Sequence, residues 1–482
     1  MTKITFEELF LNESEALRRS LDLNEYKELL LKLIFFKHVN NLFEKRFKEL
    51  LDENEGFEED PDFYLAEGID YIPKNERWDT LVNTPNTFDQ CNLIERAIQH
   101  ICYPKLKITN RPTYANKTIE PILSRLITLL AQIDITDTIT LPKTFDDCLK
   151  AISIQEAKIS GEFYSPTSIV DSLINIVQPN EGRVYDPCCG SGGIFVQSSK
   201  FIETHSGNIN DISMYGQEIN ITTWKIAKMN IKIHDIDVDL GEQPMDTFSN
   251  DLHPTLKADY IIACPPFNLR NWGQNKLKDD SRWKYGLPPK GNANYAWMQH
   301  MIHHLASRGK IGLVLANGSL SSTTSGEGKI RQDIIEDDLV DAIITLPTQL
   351  FYSTGIPVSL WFLNKDKTQK GKTLFIDARE LGTMVTRKQR ELTDEDIQLM
   401  ADTYNKYVEG TLEDEKGFCK VATIDDIIEQ DYLLTPGRYV GFRPEEDDYD
   451  VINLNQLRKT NKENQNKINR LNKEIEELLN QL

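Results

Sequence analysis

The 482-residue chain exceeds the length that one hydrophobic core usually serves, so two or three domains are expected. Its hydrophobic content of 39% and charged content of 27% are typical of a globular protein in water. No apolar run is long enough to cross a bilayer, and the first residues lack a basic segment followed by an apolar one. We therefore expect no membrane span and no secretory signal, and a cytoplasmic location.

The formal net charge of -20 disfavours tight binding of a polyanion such as nucleic acid by this chain alone, because such affinity comes largely from Lys and Arg. Two interpretations stay open at this point. The acidity serves solubility, or a partner chain supplies most of the contact with a polyanion.

Residues 1 to about 150 are predicted to form an α-helical N-terminal domain. Leu31, Phe35, Val39 and Leu42 fall at i, i+4, i+8 and i+11 in a segment without Gly or Pro, which is the spacing of one helix face. Packing of that face into a core accounts for the pattern.

From about residue 160 the sequence predicts an α/β fold with a mostly parallel sheet. Short apolar runs alternate with helical patterns, and strands that recur between helices form such sheets. The predicted strands lie in RVYDP, SMYGQE, ADYIIACPP, KIGLVLANG, DAIITLP, VSLWFLNK and TLFIDARE.

A glycine-rich turn follows the first of these strands. The segment Val184–Gly193 places Asp186 at the strand end and glycines where the chain enters a helix, so the backbone can approach a ligand closely. The pattern D-P-x-x-G-S-G-G lacks the third glycine of a dinucleotide fingerprint, which favours a nucleoside with a charged side chain over NAD. Glu218, one strand later, is positioned to accept both hydroxyls of a ribose.

These segments resemble the signatures of γ-class adenine-N6 DNA methyltransferases. D-P-C-C-G-S-G-G is similar to their first signature, and Gly161–Pro166 is similar to the G-x-F-Y-T-P segment that touches the methionine end of S-adenosylmethionine. Asp246 in M-D-T-F resembles the acidic residue that contacts the cofactor's adenine. The resemblance implies a Rossmann-like domain whose cofactor residues are Phe163, Tyr164, Ser165, Pro166, Asp186, Pro187, Gly190, Ser191, Gly192, Gly193, Glu218 and Asp246.

The predicted catalytic loop, Cys264–Pro265–Pro266–Phe267, follows the strand ADYIIA. It resembles the N-P-P-F/Y loop, in which an Asn oxygen and the first Pro carbonyl accept hydrogen bonds from the target amine and the aromatic ring stacks on a flipped adenine. Here Cys264 stands where the family has Asn. Because a thiol is a weak acceptor, we expect methyl transfer to be slower by about 100- to 1000-fold.

Cys264 leaves two alternatives to adenine methylation open. The chain would be a catalytically silent, cofactor-binding scaffold if the chemistry is lost. A cytosine-C5 methyltransferase would instead use a thiol in this loop as a nucleophile. In those enzymes, however, the cysteine follows the proline and does not precede a Pro-Pro-aromatic sequence.

No metal site is predicted. The seven cysteines show no C-x-x-C pair and are expected to be reduced thiols. His300, His303 and His304 have i, i+3 and i+4 spacing on a predicted helix, but no carboxylate or cysteine at ligand spacing completes a set.

The rest of the chain resembles the modification subunits of type I restriction-modification systems. Asn292–Met301 is similar to the family's N-A-D-F-A-F-x-Q-H-M block, and Gly309–Gly318 is similar to its G-K-x-x-x-V-L-P-N-G strand. Further similar blocks are Ile330–Pro347, Leu350–Pro357 and Pro436–Val440. The resemblance covers nearly the whole chain and identifies it as a member of this family.

An acidic linker and a heptad-patterned tail end the sequence. Apolar or Asn residues recur three and four apart, the seam of a coiled coil, at Leu454, Leu457, Asn461, Asn464, Ile468, Leu471, Ile475, Leu478 and Leu482. We expect three regions, namely a helical domain (1–150), a methyltransferase domain (151–442) and a linker with a coiled-coil helix (443–482).

The resemblance implies the partners of these regions. They are a specificity subunit bound through the C-terminal helix, a second modification subunit, a restriction and motor subunit, and double-stranded DNA with a flipped adenine.

Overall fold

The computed structural model describes residues 5–53, 56–106, 118–160, 165–205, 207–352, 354–442, 461–465, 467–468 and 470–471. The chain divides into two compact units, Met1–Val440 and Gly441–Leu482. In the second unit, the described residues from 461 onward are helical. In the described part of the chain, no helix combines the length and the apolar character that crossing a membrane requires.

The N-terminal region is helical, as predicted. Its helices are α1 (Phe6–Arg18), α2 (Leu23–Glu53), α3 (Asp62–Leu65), α4 (Trp78–Asn83), α5 (Thr87–Cys102), α6 (Glu120–Ala131) and α7 (Thr140–Ser160). A capping box between Thr5 and Glu8 starts α1. The helix α7 runs across position 150, and the predicted division into three regions stays a prediction.

Helix α2 forms the centre of this region. Its residues from Leu29 to Phe36 are buried on all sides, because α5, α6, α7 and a later helix surround it. The buried ammonium of Lys32 is paired with Glu28 and Glu95, as a buried charge requires.

The remaining elements of the first unit form a sheet with helices on its faces. The helices are α8 (Thr167–Val177), α9 (Gly193–Thr204), α10 (Ile221–Ile233), α11 (Asn294–His304), α12 (Glu327–Glu336), α13 (Asp394–Glu409), α14 (Ile424–Glu429) and α15 (Gly437–Val440). The strands are β1 (Gly182–Asp186), β2 (Ile212–Gly216), β3 (Val238–Asp239), β4 (Ala258–Ala263), β5 (Leu305–Ala316), β6 (Val340–Thr345), β7 (Val358–Asn364), β8 (Lys372–Asp377), β9 (Thr383–Met384), β10 (Arg390–Glu391) and β11 (Cys419–Thr423).

The main sheet has the strand order β11-β8-β6-β7-β5-β4-β1-β2-β3. The strands β3, β2, β1, β4 and β5 run parallel, β6 is parallel to β8, and β7 is antiparallel to both of its neighbours. The expected α/β fold with a mostly parallel sheet is confirmed, and each predicted strand forms. The short strands β3 and β11 and the separate β9–β10 hairpin were not predicted, because their few residues carry little apolar pattern.

The helical region and the sheet share one hydrophobic core. Buried side chains of α2 and α5 belong to the same cluster as Val184 of β1 and Trp224 of α10. The Trp224 indole donates to the carbonyl of Leu240 (3.0 Å), and its ring lies 6.0 Å from that of Tyr103. The helical region is therefore packed on the β1–β2–β3 side of the sheet.

The strand order reverses at β1. The chain passes from β1 to β2 on one side, whereas β4 pairs with β1 on the other. In open parallel sheets the crevice beyond the carboxyl ends of strands at such a point is the usual ligand site. Asp186 and Cys264 both lie at this crevice.

We predict that Gly216→Ala lowers the free energy of unfolding by about 1 to 3 kcal/mol, because a Cβ atom there would lie in the packed core. The atom would be 2.6 Å from Leu240 and 2.9 Å from the ring of Phe195. Urea titration measures the change. Gly318→Ala, where a Cβ atom meets nothing within 4 Å, is the control. Equal midpoints for the two variants would contradict the prediction.

Candidate functional site

A cleft at the carboxyl ends of β1 and β4 brings the predicted cofactor and catalytic segments together. Its volume of about 490 Å³ includes space that is open to solvent. The lining includes the predicted residues Ser165, Asp186, Gly190, Ser191, Gly193 and Cys264. The segment around residue 165, the glycine turn and the catalytic loop therefore face one space.

The glycine turn has the backbone conformation that its residues permit. Gly190 and Gly192 have φ values of 56° and 81°, which side chains with a Cβ atom adopt at a cost. A Cβ atom at Gly190 would meet no protein atom within 4 Å. The backbone at Gly190 is thus open on the side where a ligand can approach it.

Buried Asp186 anchors the start of the turn. Its carboxylate accepts a hydrogen bond from the Cys188 amide (3.0 Å). Burial raises the pKa of the Asp186 carboxyl to about 7, and the charge of Glu218 adds to the increase. A cationic group placed beside Asp186 would favour the charged carboxylate.

Glu218 connects the ends of β1 and β2. Its half-buried carboxylate accepts hydrogen bonds from the amides of Gly190 (3.1 Å) and Asn220 (2.7 Å). A carboxylate has about four acceptor positions, so it can also accept from a ligand hydroxyl. Glu218 is therefore positioned next to the glycine turn, as the sequence predicted.

The segment that contains Asp246 is fastened to the same turn. The Thr247 hydroxyl donates to the Pro187 carbonyl (2.6 Å). The Asp246 carboxylate accepts from the amide of Phe248 (3.1 Å) and the hydroxyl of Ser249 (2.7 Å). These bonds give Asp246 a turn-forming role in this structure, and its predicted contact with a cofactor stays a prediction.

Of the predicted cofactor segment Gly161–Pro166, the structure describes only Ser165 and Pro166. Pro166 caps α8, and its carbonyl accepts from the amides of Ile169 and Val170. The predicted cofactor residues Phe163 and Tyr164 lie outside the described residues.

Two residues that position the site were not identified from the sequence. The buried side chain of Gln217 donates to the carbonyls of Met245 and Asn250 and accepts from the Leu252 amide. The buried Arg282 guanidinium donates to the carbonyls of Thr247 (3.0 Å) and Phe248 (2.6 Å). Both hold backbone carbonyls of distant segments, a role that leaves no motif in the sequence.

Cys264 lines the cleft at the end of β4. Burial raises the pKa of its thiol to about 12, although a hydrogen bond with Ser165 opposes the increase. The thiol is therefore protonated at neutral pH. Since the thiolate is the nucleophilic form of cysteine, this environment does not activate Cys264 for attack on a base.

The next three residues of the catalytic loop differ in exposure. Pro265 is buried, Pro266 is exposed, and the ring of Phe267 is 8% exposed. The Phe267 ring packs edge-on against Phe351, with centroids 5.3 Å apart. Stacking of Phe267 on a base, which the resemblance implies, requires this contact to open.

Asn268 closes the catalytic loop and is already hydrogen-bonded. It has a φ of 54°, and its amide donates to the side-chain oxygen of Asn294 (3.0 Å). Its own side-chain oxygen accepts from Asn292 (3.2 Å) and Asn294 (3.0 Å). The N-A-N-Y block at the start of α11 therefore fixes the catalytic loop, which the sequence did not indicate.

The histidines of α11 belong to a buried polar network. The expectation that no carboxylate completes their set was wrong, because Asp251 lies 2.8 Å from His304 and close to His300. His300 is already hydrogen-bonded to Tyr185 (3.0 Å) and to the Arg282 guanidinium (3.1 Å). The positive charge of the Arg282 guanidinium beside His300 disfavours binding of a metal cation. That no metal binds here stays our prediction.

Comparison with known proteins agrees with this geometry. The family model described as N-6 DNA Methylase matches residues 139–448, and the HsdM N-terminal domain model matches residues 12–121. The HindI methylase subunit of Haemophilus influenzae is 50% identical over 309 residues, covering 64% of this chain and 70% of that one. The MjaIX methylase subunit of Methanocaldococcus jannaschii is 37% identical over 476 residues, covering 92% and 85%.

Solved structures share the fold. The type I methyltransferase subunit of Streptococcus thermophilus has a TM-score of 0.76 at 22% identity and covers 90% of this chain and 99% of its own. A modification subunit from Vibrio vulnificus has a TM-score of 0.61 at 16% identity, with coverage of 89% and 94%. The family models and these relatives show that this chain belongs to the N-6 DNA methylases. It is the modification subunit of a type I restriction-modification system.

Proposed function

We propose that the cleft binds S-adenosylmethionine and that the assembled enzyme methylates N6 of an adenine flipped out of a duplex chosen by a specificity subunit. One observation carries this proposal. The glycine turn after β1 and Cys264 of the C-P-P-F loop after β4 line one cleft, and Glu218 after β2 accepts a hydrogen bond from the Gly190 amide of that turn. The glycine turn and Glu218 are suited to bind a nucleoside, and the C-P-P-F loop is suited to bind an amine substrate.

The residues present fit this cofactor. The open backbone at Gly190 allows close approach of a nucleoside, and Glu218 offers acceptors for ribose hydroxyls. Asp186 offers a carboxylate to a cationic end. When bound, S-adenosylmethionine supplies a methyl group on a positively charged sulfur, which makes that methyl electrophilic.

The protein's own contribution to catalysis is to position the target amine. The adenine N6 lone pair is delocalised into the ring, so acceptors for its two hydrogens raise its nucleophilicity. The Pro265 carbonyl is one acceptor by the resemblance. At Cys264 the second acceptor is weak, and Asn268 is a poor substitute because its oxygen already accepts from Asn292 and Asn294. We therefore propose a slow adenine methyltransferase.

The tail is proposed to bind the specificity subunit. Ile468 and Leu471, on the predicted seam, are 49% and 48% exposed in the described helical residues, and the other apolar seam residues lie outside the described part. A net charge of -20 also supports a partner that supplies DNA contacts. A second modification subunit, a restriction subunit and a cytoplasmic location complete the proposal.

We predict that Glu218→Ala weakens S-adenosylmethionine binding by about 10- to 100-fold, the effect of losing a charged hydrogen-bond acceptor. Glu218→Gln, which keeps one carbonyl oxygen, should lose less. Isothermal titration calorimetry measures the affinity, and Glu409→Ala on the exposed end of α13 is the control. Unchanged affinity in Glu218→Ala would mean that Glu218 does not bind the cofactor.

We predict that Cys264→Asn increases methyl transfer by about 100- to 1000-fold, because it supplies the missing acceptor. Tritium transfer from labelled S-adenosylmethionine to DNA, with the specificity subunit present, measures the rate. Cofactor affinity should change little, and Cys419→Asn outside the cleft is the control.

Three other outcomes of this assay are informative. An ordinary rate before substitution with no increase after it would mean that the loop has a compensating acceptor. No transfer by either variant would support the silent scaffold. Loss of activity in Cys264→Asn, with a covalent adduct to 5-fluorocytosine DNA before substitution, would establish the cytosine-C5 mechanism.

We predict that removal of residues 451–482 prevents co-purification with the specificity subunit while cofactor affinity stays the same, because the tail carries the coiled-coil seam. The pair Ile468→Asp and Leu471→Asp should have the same effect without truncation. Lys467→Asp, off the seam, is the control. Undiminished yield of the complex from the truncated chain would contradict the prediction.

A further inference from the structure

Four exposed cations flank the catalytic loop of this acidic protein. Arg387 and Lys388 lie in the β9–β10 hairpin, and Arg270 and Lys290 lie between β4 and α11. In the described part of the chain, none of the four forms an ion pair with a carboxylate. We call these four residues the basic rim.

The hairpin lies on the catalytic side of the sheet. It follows β8, which runs parallel to β6 and in the same direction as β4, so it begins at the edge where Cys264 lies. The Arg390 amide donates to the Gln349 carbonyl (3.0 Å), and the Gln389 side chain donates to the Leu350 carbonyl (2.7 Å). The next residue, Phe351, packs against Phe267 of the catalytic loop.

The exposed part of the hairpin has an unusual composition for this chain. Residues 384–390 contain three cations and no acid, although the whole chain has 75 acidic and 55 basic residues. The side chains of Met384 and Val385 are 45% and 51% exposed beside these cations. Exposed apolar side chains among Arg and Lys are typical of elements that enter a DNA groove.

The second pair of cations is held beside the catalytic loop by backbone bonds. The amide of Asn271 donates to the Lys290 carbonyl (3.2 Å), and the amide of Ala293 donates to the Leu269 carbonyl (3.0 Å). These bonds bring the backbones of Arg270 and Lys290 together. Arg270 follows the catalytic loop directly in the chain, and the hairpin is connected to that loop through residues 349–351.

We infer that the basic rim contacts the phosphates of the target DNA on both sides of the extruded adenine. This inference rests on the proposed function, because it takes duplex DNA as the substrate. Phosphate contacts fix the position of a protein on a duplex without reading its sequence. The modification subunit would then hold the backbone around the flipped base, while the specificity subunit reads the sequence.

The test measures binding of the chain, assembled with its specificity subunit, to a fluorescein-labelled duplex of random sequence, about 30 base pairs long, in the presence of S-adenosylmethionine. Because each phosphate contact contributes about 0.9 to the slope of log affinity against log salt, neutralising a cation pair should lower that slope by about 2. The variants are R387Q/K388Q and R270Q/K290Q. The control is R308Q/K370Q, whose exposed cations lie at the opposite edge of the sheet and change the net charge equally.

The expected result is a reduced slope and weaker binding in both rim variants and neither change in the control. An unchanged slope in the rim variants, or an equal loss in the control, would overturn the inference. So would failure of the rim variants to assemble with the specificity subunit, because the rim would then be a protein interface. Cofactor affinity and methyl transfer of the unchanged protein test the proposed function separately.

Discussion

The parallel pairing of β2, β1 and β4 is the constraint on which the site depends. Each of these strands ends at the same edge, so the loops that follow them lie close together. Asp186 and the glycine turn follow β1, Glu218 follows β2, and Cys264 follows β4. The 3.1 Å bond from the Gly190 amide to Glu218 then joins the first two loops directly.

A second layer of interactions holds these loops from behind. Arg282 bonds to the carbonyls of Thr247 and Phe248, and His300 connects Arg282 to Tyr185 of β1. Burial lowers the pKa of His300 well below its ordinary value, so the ring stays neutral and can accept from the guanidinium. The loop that contains Asp246 is thereby connected to β1, the strand that the glycine turn follows.

The sequence predicted the elements whose residues are contiguous. The D-P-C-C-G-S-G-G turn, the C-P-P-F loop and Glu218 could be placed near one another because a few neighbouring residues mark each one, and their roles toward a cofactor and a base stay predictions. Gln217, Arg282 and Asn294 could not, since they bond to segments far away in the chain. Asp251 was missed for the same reason, and the β9–β10 hairpin was missed because two-residue strands have almost no periodicity. The burial of Phe267 against Phe351 depends on a contact between two loops, which no local pattern specifies.

The core shared by the N-terminal helices and the sheet also affects how this protein folds. Trp224 of α10 packs with Tyr103 on one side and bonds to Leu240 on the other, and the same hydrophobic cluster continues into α2. A chain that began after these helices would expose a large apolar surface on the face of the sheet that carries α10. The helical region therefore covers apolar surface of the sheet that would otherwise face water, and the two regions stabilise each other through this shared core.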